Sequence, residues 1–179
     1  MTAPANPSHI GRTGSRLRSR LRSLLPGLAL ALWAAGGPAA QGREPILDLA
    51  TYPREEAVVE SAGNRRHPFR VWIADTDERQ RQGLMYVRDL PQDQGMLFVN
   101  RPPRPASFWM KNTYIELDLL FIDPTGKVLR IFERATPFSL EPMSVDAPVR
   151  AVLEIKGGES ARRGIKVGDR VRHRAFRSR

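Results

Sequence analysis

Residues 108–113, Phe108-Trp109-Met110-Lys111-Asn112-Thr113, set two aromatic rings and a thioether beside an ammonium, an amide and a hydroxyl with no spacer. A solvated loop rarely carries so much apolar bulk, and a core strand rarely carries so much polarity. The run reads as a strand leaving the core and presenting polar groups at a defined edge. Such a set suits recognition of a small polar molecule. Trp109 would supply an apolar platform flanked by Met110, Lys111 a charge, and Asn112 and Thr113 the hydrogen bonds. Without its first 40 residues the chain has four lysines among 24 basic residues, so Lys111 points to a compact ammonium rather than a guanidinium fork. The local alternative is that Asn112 and Thr113 close a turn on their own backbone.

Carboxylates form the second candidate group. Asp123-Pro124-Thr125-Gly126 has the residues of a type I turn, joining strands over 115–122 and 127–134. A two-residue connection would set Glu116 opposite Glu133, with Asp118 on the same face. Facing carboxylates need a cation, an arginine such as Arg79 or Arg104, or a raised pKa. Asp118 with Glu116 or Glu154 would then suit acid–base hydrolysis of a cell-envelope substrate. The plainer reading leaves the two glutamates in solvent at a strand end and gives Asp118 a structural hydrogen bond. In the strand over 149–156, alternation turns Glu154 outward beside Arg150 and Lys156.

Soft-metal chemistry is the third. Met85, Met96, Met110 and Met143 are thioethers that could hold Cu(I), with Trp109 capping the ion. The competing role is filling irregular gaps in the core. Other chemistries are excluded. The chain has no cysteine, hence no disulfide, thiolate metal site or Cys nucleophile. Beyond His9 only His67 and His173 remain, too few for a three-His zinc site. No nucleophile elbow or phosphate-cradling glycine loop is present, and no cofactor is expected.

Of 179 residues, the first 40 hold five arginines and no acid, then an apolar stretch at 24–35, then Gly36, Gly37, Pro38, Ala39 and Ala40. Basic, apolar, small is the order of a secretory signal peptide, with cleavage near Ala39 or Ala40. The apolar stretch is too short to span a membrane. The expected product is a periplasmic or secreted protein with no transmembrane segment after cleavage. The net charge of +10, from 29 basic and 19 acidic residues, falls to +5 without the leader arginines. Much of the remainder lies near the C-terminus, and no nucleic-acid motif accompanies it.

The positioning elements follow from periodicity. Residues 41–56 read as a linker, residues 57–174 as one β-rich domain, and 175–179 as a solvated basic tail. Phe69, Val71 and Ile73 alternate with Arg70, Trp72 and Ala74, a strand. A short surface helix spans 76–82 and stops at Gly83. Residues 95–99 form a compact apolar strand, and the proline-rich 101–105 is a link from it. A helical turn over 159–163 ends at Gly164, and a last strand covers 170–174. Many short strands with frequent turns indicate a mainly β fold: a small β-sandwich or partial barrel with one or two short helices.

Gly83-Leu84-Met85, Gly95-Met96-Leu97-Phe98-Val99, the 108–113 run, Leu117-Asp118, Val152-Leu153-Glu154 and Gly168-Asp169 occur in this order. Together they resemble the bacterial and archaeal family called domain of unknown function 192, over roughly residues 70–173. Glu116 departs from it, where a proline is more usual. Gly157 departs in the same minor way. The resemblance implies a small, mainly β domain, often exported, and carries no reaction or cofactor. The expectation is an exported, monomeric, non-catalytic binding module whose Trp109–Thr113 edge and Asp118 take a small polar ligand or an envelope partner. A carboxylate hydrolase and a Cu(I)-handling protein are the alternatives.

Overall fold

The computed structural model describes residues 46–177, so the expected signal peptide lies outside the described residues. The mainly β expectation is met in its partial-barrel form. Seven strands make one curled sheet: β1 Arg54–Ser61, β2 Arg65–Ala74, β3 Gln94–Phe108, β4 Leu117–Ile122, β5 Val128–Ala135, β6 Met143–Lys156 and β7 Arg170–Arg172. Their spatial order is β5-β4-β6-β3-β2-β1-β7. All neighbours are antiparallel except β2 and β3. That parallel pair needs a crossover, and helix α1, Asp77–Gln82, begins it. Thr76 caps α1 by accepting from Arg79 N–H, and Gly83 ends it. The two sheet edges meet where Lys127 bridges Arg170 and Val171 N–H donates to Gly126 O at 2.7 Å.

Both faces of the sheet are covered. One apolar cluster draws Val59, Phe69, Leu97, Leu120, Val128, Leu153 and Val171 from all seven strands and lies inside the curl. The other, with Met96, Phe98, Leu119, Phe121 and Val152, lies on the opposite face of the central strands, under Leu84, Leu90 and Met110. These loop residues come from the β2–β3 crossover and the β3–β4 connection. This two-sided burial explains why every residue of β4 is buried and why all but Asp118 are apolar.

Order begins before Ala57. Residues 49–51 form a 3-10 turn, Tyr52 is buried, and β1 starts at Arg54, so part of the expected linker belongs to the fold. The chain does not leave β3 at its prolines. Residues 101–105 stay in the strand, and register shifts between Val99 and Ala106 absorb them. At the other end Arg174 pairs with Glu55, and Phe176 packs on the inner core, so the tail is docked as far as residue 176.

The Asp123–Gly126 turn closes as expected, Gly126 N–H on Asp123 O at 3.1 Å. Gly126 then takes φ +89°, and Asp123 N–H reaches Lys127 O. This is a three-residue loop with a glycine bulge. The loop adds one residue, and irregularities between Phe121 and Ile122 and between Leu117 and Leu119 extend the shift, so that Leu120 faces Ile131 and Leu117 faces Ala135. Glu116 therefore does not oppose Glu133. It pairs with Arg134 at 3.0 Å instead. Gly126→Ala should lower stability by about 1–2 kcal/mol in a denaturant titration, from the left-handed backbone and a Cβ that would sit 2.6 Å from Val171 O. An unchanged midpoint would contradict this account of the turn.

Candidate functional site

A cavity of about 450 Å³ opens on the outer face of the sheet, between α1, β3 and the 109–113 turn. Its buried lining, hence its floor, comprises Gly83, Leu84, Phe98, Asn100, Thr113 and Glu154. Its exposed lining, hence its rim, includes Asp77, Arg81, Arg104, Ser107 and Trp109.

The 108–113 run divides its work. Trp109 stands at the rim, 54 % exposed, with the Lys111 ammonium 5.6 Å from its ring centre. Met110 turns inward as a fully buried anchor, and its N–H donates to Ser139 O. Asn112 sits at φ +55° and braces the turn: its Nδ2 donates to Tyr86 Oη at 3.0 Å, and its carbonyl accepts from Tyr86 N–H. Thr113 is buried on the cavity wall, its hydroxyl donating to Lys111 O. Trp109 and Thr113 thus line the cavity, Lys111 stacks beside Trp109, and Met110 and Asn112 hold the turn in place.

Asp118 lies elsewhere. It is fully buried on the inner face, where its carboxylate accepts from the N–H groups of Arg134, Gly158 and Ser160, each at 2.8 Å. Helix α2, Glu159–Arg163, has a glycine at its N-cap and no side-chain cap of its own. Asp118 supplies the missing acceptor from across the fold. Asp118 and Glu154 lie on opposite faces of the sheet and form no carboxylate pair.

Among the methionines, Met96 and Met110 are core, Met85 lines the cavity, and Met143 faces Phe108 across the β3–β6 pairing. No group of three or more His, Asp or Glu side chains is arranged to hold a metal ion among the described residues.

Glu154 is the residue that periodicity misplaces. Strand pairing sets it between Met96 of β3 and Leu119 of β4. It is 5 % exposed and lines the cavity floor. Burial pushes its carboxyl up to about 8, with no neighbouring charge or hydrogen bond to offset it. The carboxyl is therefore largely protonated at neutral pH. A desolvated acid in a concave site is a candidate functional position. Only its place in the Val152-Leu153-Glu154 motif hinted at this in the sequence.

Comparison with curated proteins finds no match. Solved structures do match. A *Sinorhizobium meliloti* protein, described as a candidate transcription regulator, is 39 % identical over 69 % of this chain and 96 % of its own, with a TM-score of 0.68. A protein of unknown function from *Novosphingobium aromaticivorans* is 37 % identical over 72 % of this chain and 91 % of its own, also with a TM-score of 0.68. The family model for domain of unknown function 192, described as an uncharacterised family, matches residues 57–173. That span runs from β1 to the end of β7 and contains the cavity, so the chain belongs to the domain of unknown function 192 family.

Proposed function

We propose that this protein is a non-catalytic binding module that takes a small polar ligand in the Glu154 cavity. The observation that carries this reading is Glu154 itself. A carboxyl buried without a partner destabilises the fold unless something else uses it, and the space in front of it is a cavity of ligand size. The Trp109 ring at the rim gives an apolar contact surface, and Asn100 and Thr113 add polar groups on the floor. The order of basic, apolar and small residues in the leader supports a periplasmic or secreted location. The description of the *S. meliloti* relative does not by itself bring DNA binding to this chain. Helices α1 and α2 have 6 and 5 residues, too short for a groove-reading helix of the usual kind.

Native mass spectrometry of the protein isolated from its own cells tests the proposal. The expected result is a bound small mass that disappears in Trp109→Ala and in Glu154→Gln, while Trp109→Ala melts within a few degrees of wild type. Retention of the mass in both variants would place the ligand elsewhere and refute the cavity reading.

A further inference from the structure

The cavity has a polarity from floor to rim that specifies a class of ligand; this inference rests on the binding reading above. Four ionisable side chains line it: Glu154 from β6, Asp77 and Arg81 from α1, and Arg104 from β3. Met96 and Leu119, the strand neighbours of Glu154, are apolar. The acid is at the floor, and the Arg104 guanidinium stands at the rim. The Arg104 guanidinium lies at the mouth, 3.4 Å from Gln80 Oε1. A neutral amide at this long distance leaves its charge uncompensated. The Gln80 amide nitrogen is already committed to the Ala74 and Val99 carbonyls, so Gln80 is a fixed wall rather than a free contact.

We propose that the cavity binds a small zwitterion, with its ammonium group seated on the Glu154 carboxylate and its anionic group facing Arg104 at the rim. A simple cation would leave the Arg104 guanidinium without a counter-charge, and a simple anion would meet the acid at the floor. A molecule carrying both charges satisfies both ends, and the apolar body between them lies against Phe98, Phe108 and Trp109.

The proposal has a protonic signature. Glu154 holds a proton at neutral pH in the empty protein, and an ammonium ion needs the ionised carboxylate. Binding therefore releases that proton to the buffer. Affinity should rise with pH until Glu154 is ionised, about tenfold from pH 6 to pH 7 and less steeply above that. A neutral hydrogen-bonding ligand that accepts from the protonated carboxyl would show the opposite trend.

Isothermal titration of the full chain with a panel of free amino acids, at pH 6, 7 and 8, is the test. Their N-acetyl derivatives remove the ammonium charge, and glucose and N-acetylglucosamine serve as neutral polar probes. The expected result is that at least one free amino acid binds with the stated pH dependence and that its N-acetyl form binds at least tenfold more weakly. Glu154→Gln should abolish the pH dependence, and Arg104→Ala should weaken binding while preserving it. Binding of a neutral sugar or an N-acetyl derivative in preference to every free amino acid, lost in Trp109→Ala, would overturn the zwitterion and leave the cavity reading intact. Absence of binding by every free amino acid would overturn the zwitterion as well. The native mass measurement then decides separately whether the cavity binds anything.

Discussion

Asp118→Ala lowers the unfolding free energy by about 3–6 kcal/mol, which brings a domain of ordinary stability close to unfolding at room temperature. Three backbone N–H groups converge on this one carboxylate at 2.8 Å, from Arg134, Gly158 and Ser160. Each loses its acceptor in alanine, and an unpaired buried donor costs about 1–3 kcal/mol. Asp118 and Ser160 are fully buried and the bonds from Arg134 and Gly158 are partly buried, so water can take the place of the carboxylate only in part. The loss spans three elements at once: the end of β5, the Gly157-Gly158 turn and the first turn of α2. Asp118→Asn keeps the size but offers one oxygen where two are used, and should lose less than alanine does. A urea titration followed by circular dichroism measures both. A loss in Asp118→Ala below about 1 kcal/mol would show that the three bonds are replaced, and would return Asp118 to the list of site candidates.

The sequence reading located α1, α2 and the main strands because their signals are local. Thr76, Gly83 and Gly164 stop or start helices through their own backbone preferences, and Asp123-Pro124-Thr125-Gly126 turns the chain through its own side chains. What failed was each inference that needed to know what covers a face. Alternation in β6 turned Glu154 toward solvent because a strand buried on one side only would do so. The β2–β3 crossover and the 109–116 segment lie over that side, so β6 is buried continuously from Ala151 to Ile155. The same cover makes Met110 an anchor rather than an exposed contact. The Glu116–Glu133 pairing failed for a smaller reason. The glycine at φ +89° adds a residue to the hairpin and two irregularities within the β4–β5 pairing extend the shift, which moves every facing pair. Asp118 reads as a ligand contact, or on the plainer reading as one structural bond, because its three donors lie 16, 40 and 42 residues away and leave no local signal.

Stability that falls as pH rises from about 5 to 8, in the protein free of ligand, is the consequence of Glu154. Its carboxyl has a folded-state pKa of about 8 against an ordinary value of 4.5. The folded state therefore holds a proton that the unfolded state has already released between those two values. A group raised in this way favours folding fully below 4.5 and progressively less as pH climbs through 8. The decline has a limiting slope of about 1.4 kcal/mol per pH unit and sums to at most about 5 kcal/mol. Glu154→Gln has no proton to lose, so its stability should not show this component. Near pH 5 the two proteins should differ by little, since each buries one neutral polar group. At pH 8 the variant should be more stable by several kcal/mol, a gain made by removing a group that the fold tolerates but does not use. Parallel guanidinium titrations at pH 5, 6.5 and 8 on both proteins measure the difference directly. A constant difference across that range would mean that the carboxylate is solvated or paired in the folded protein, and Glu154 would no longer point to a ligand site. A growing difference that a bound ligand then suppresses would show the same carboxyl destabilising the empty protein and stabilising the occupied one.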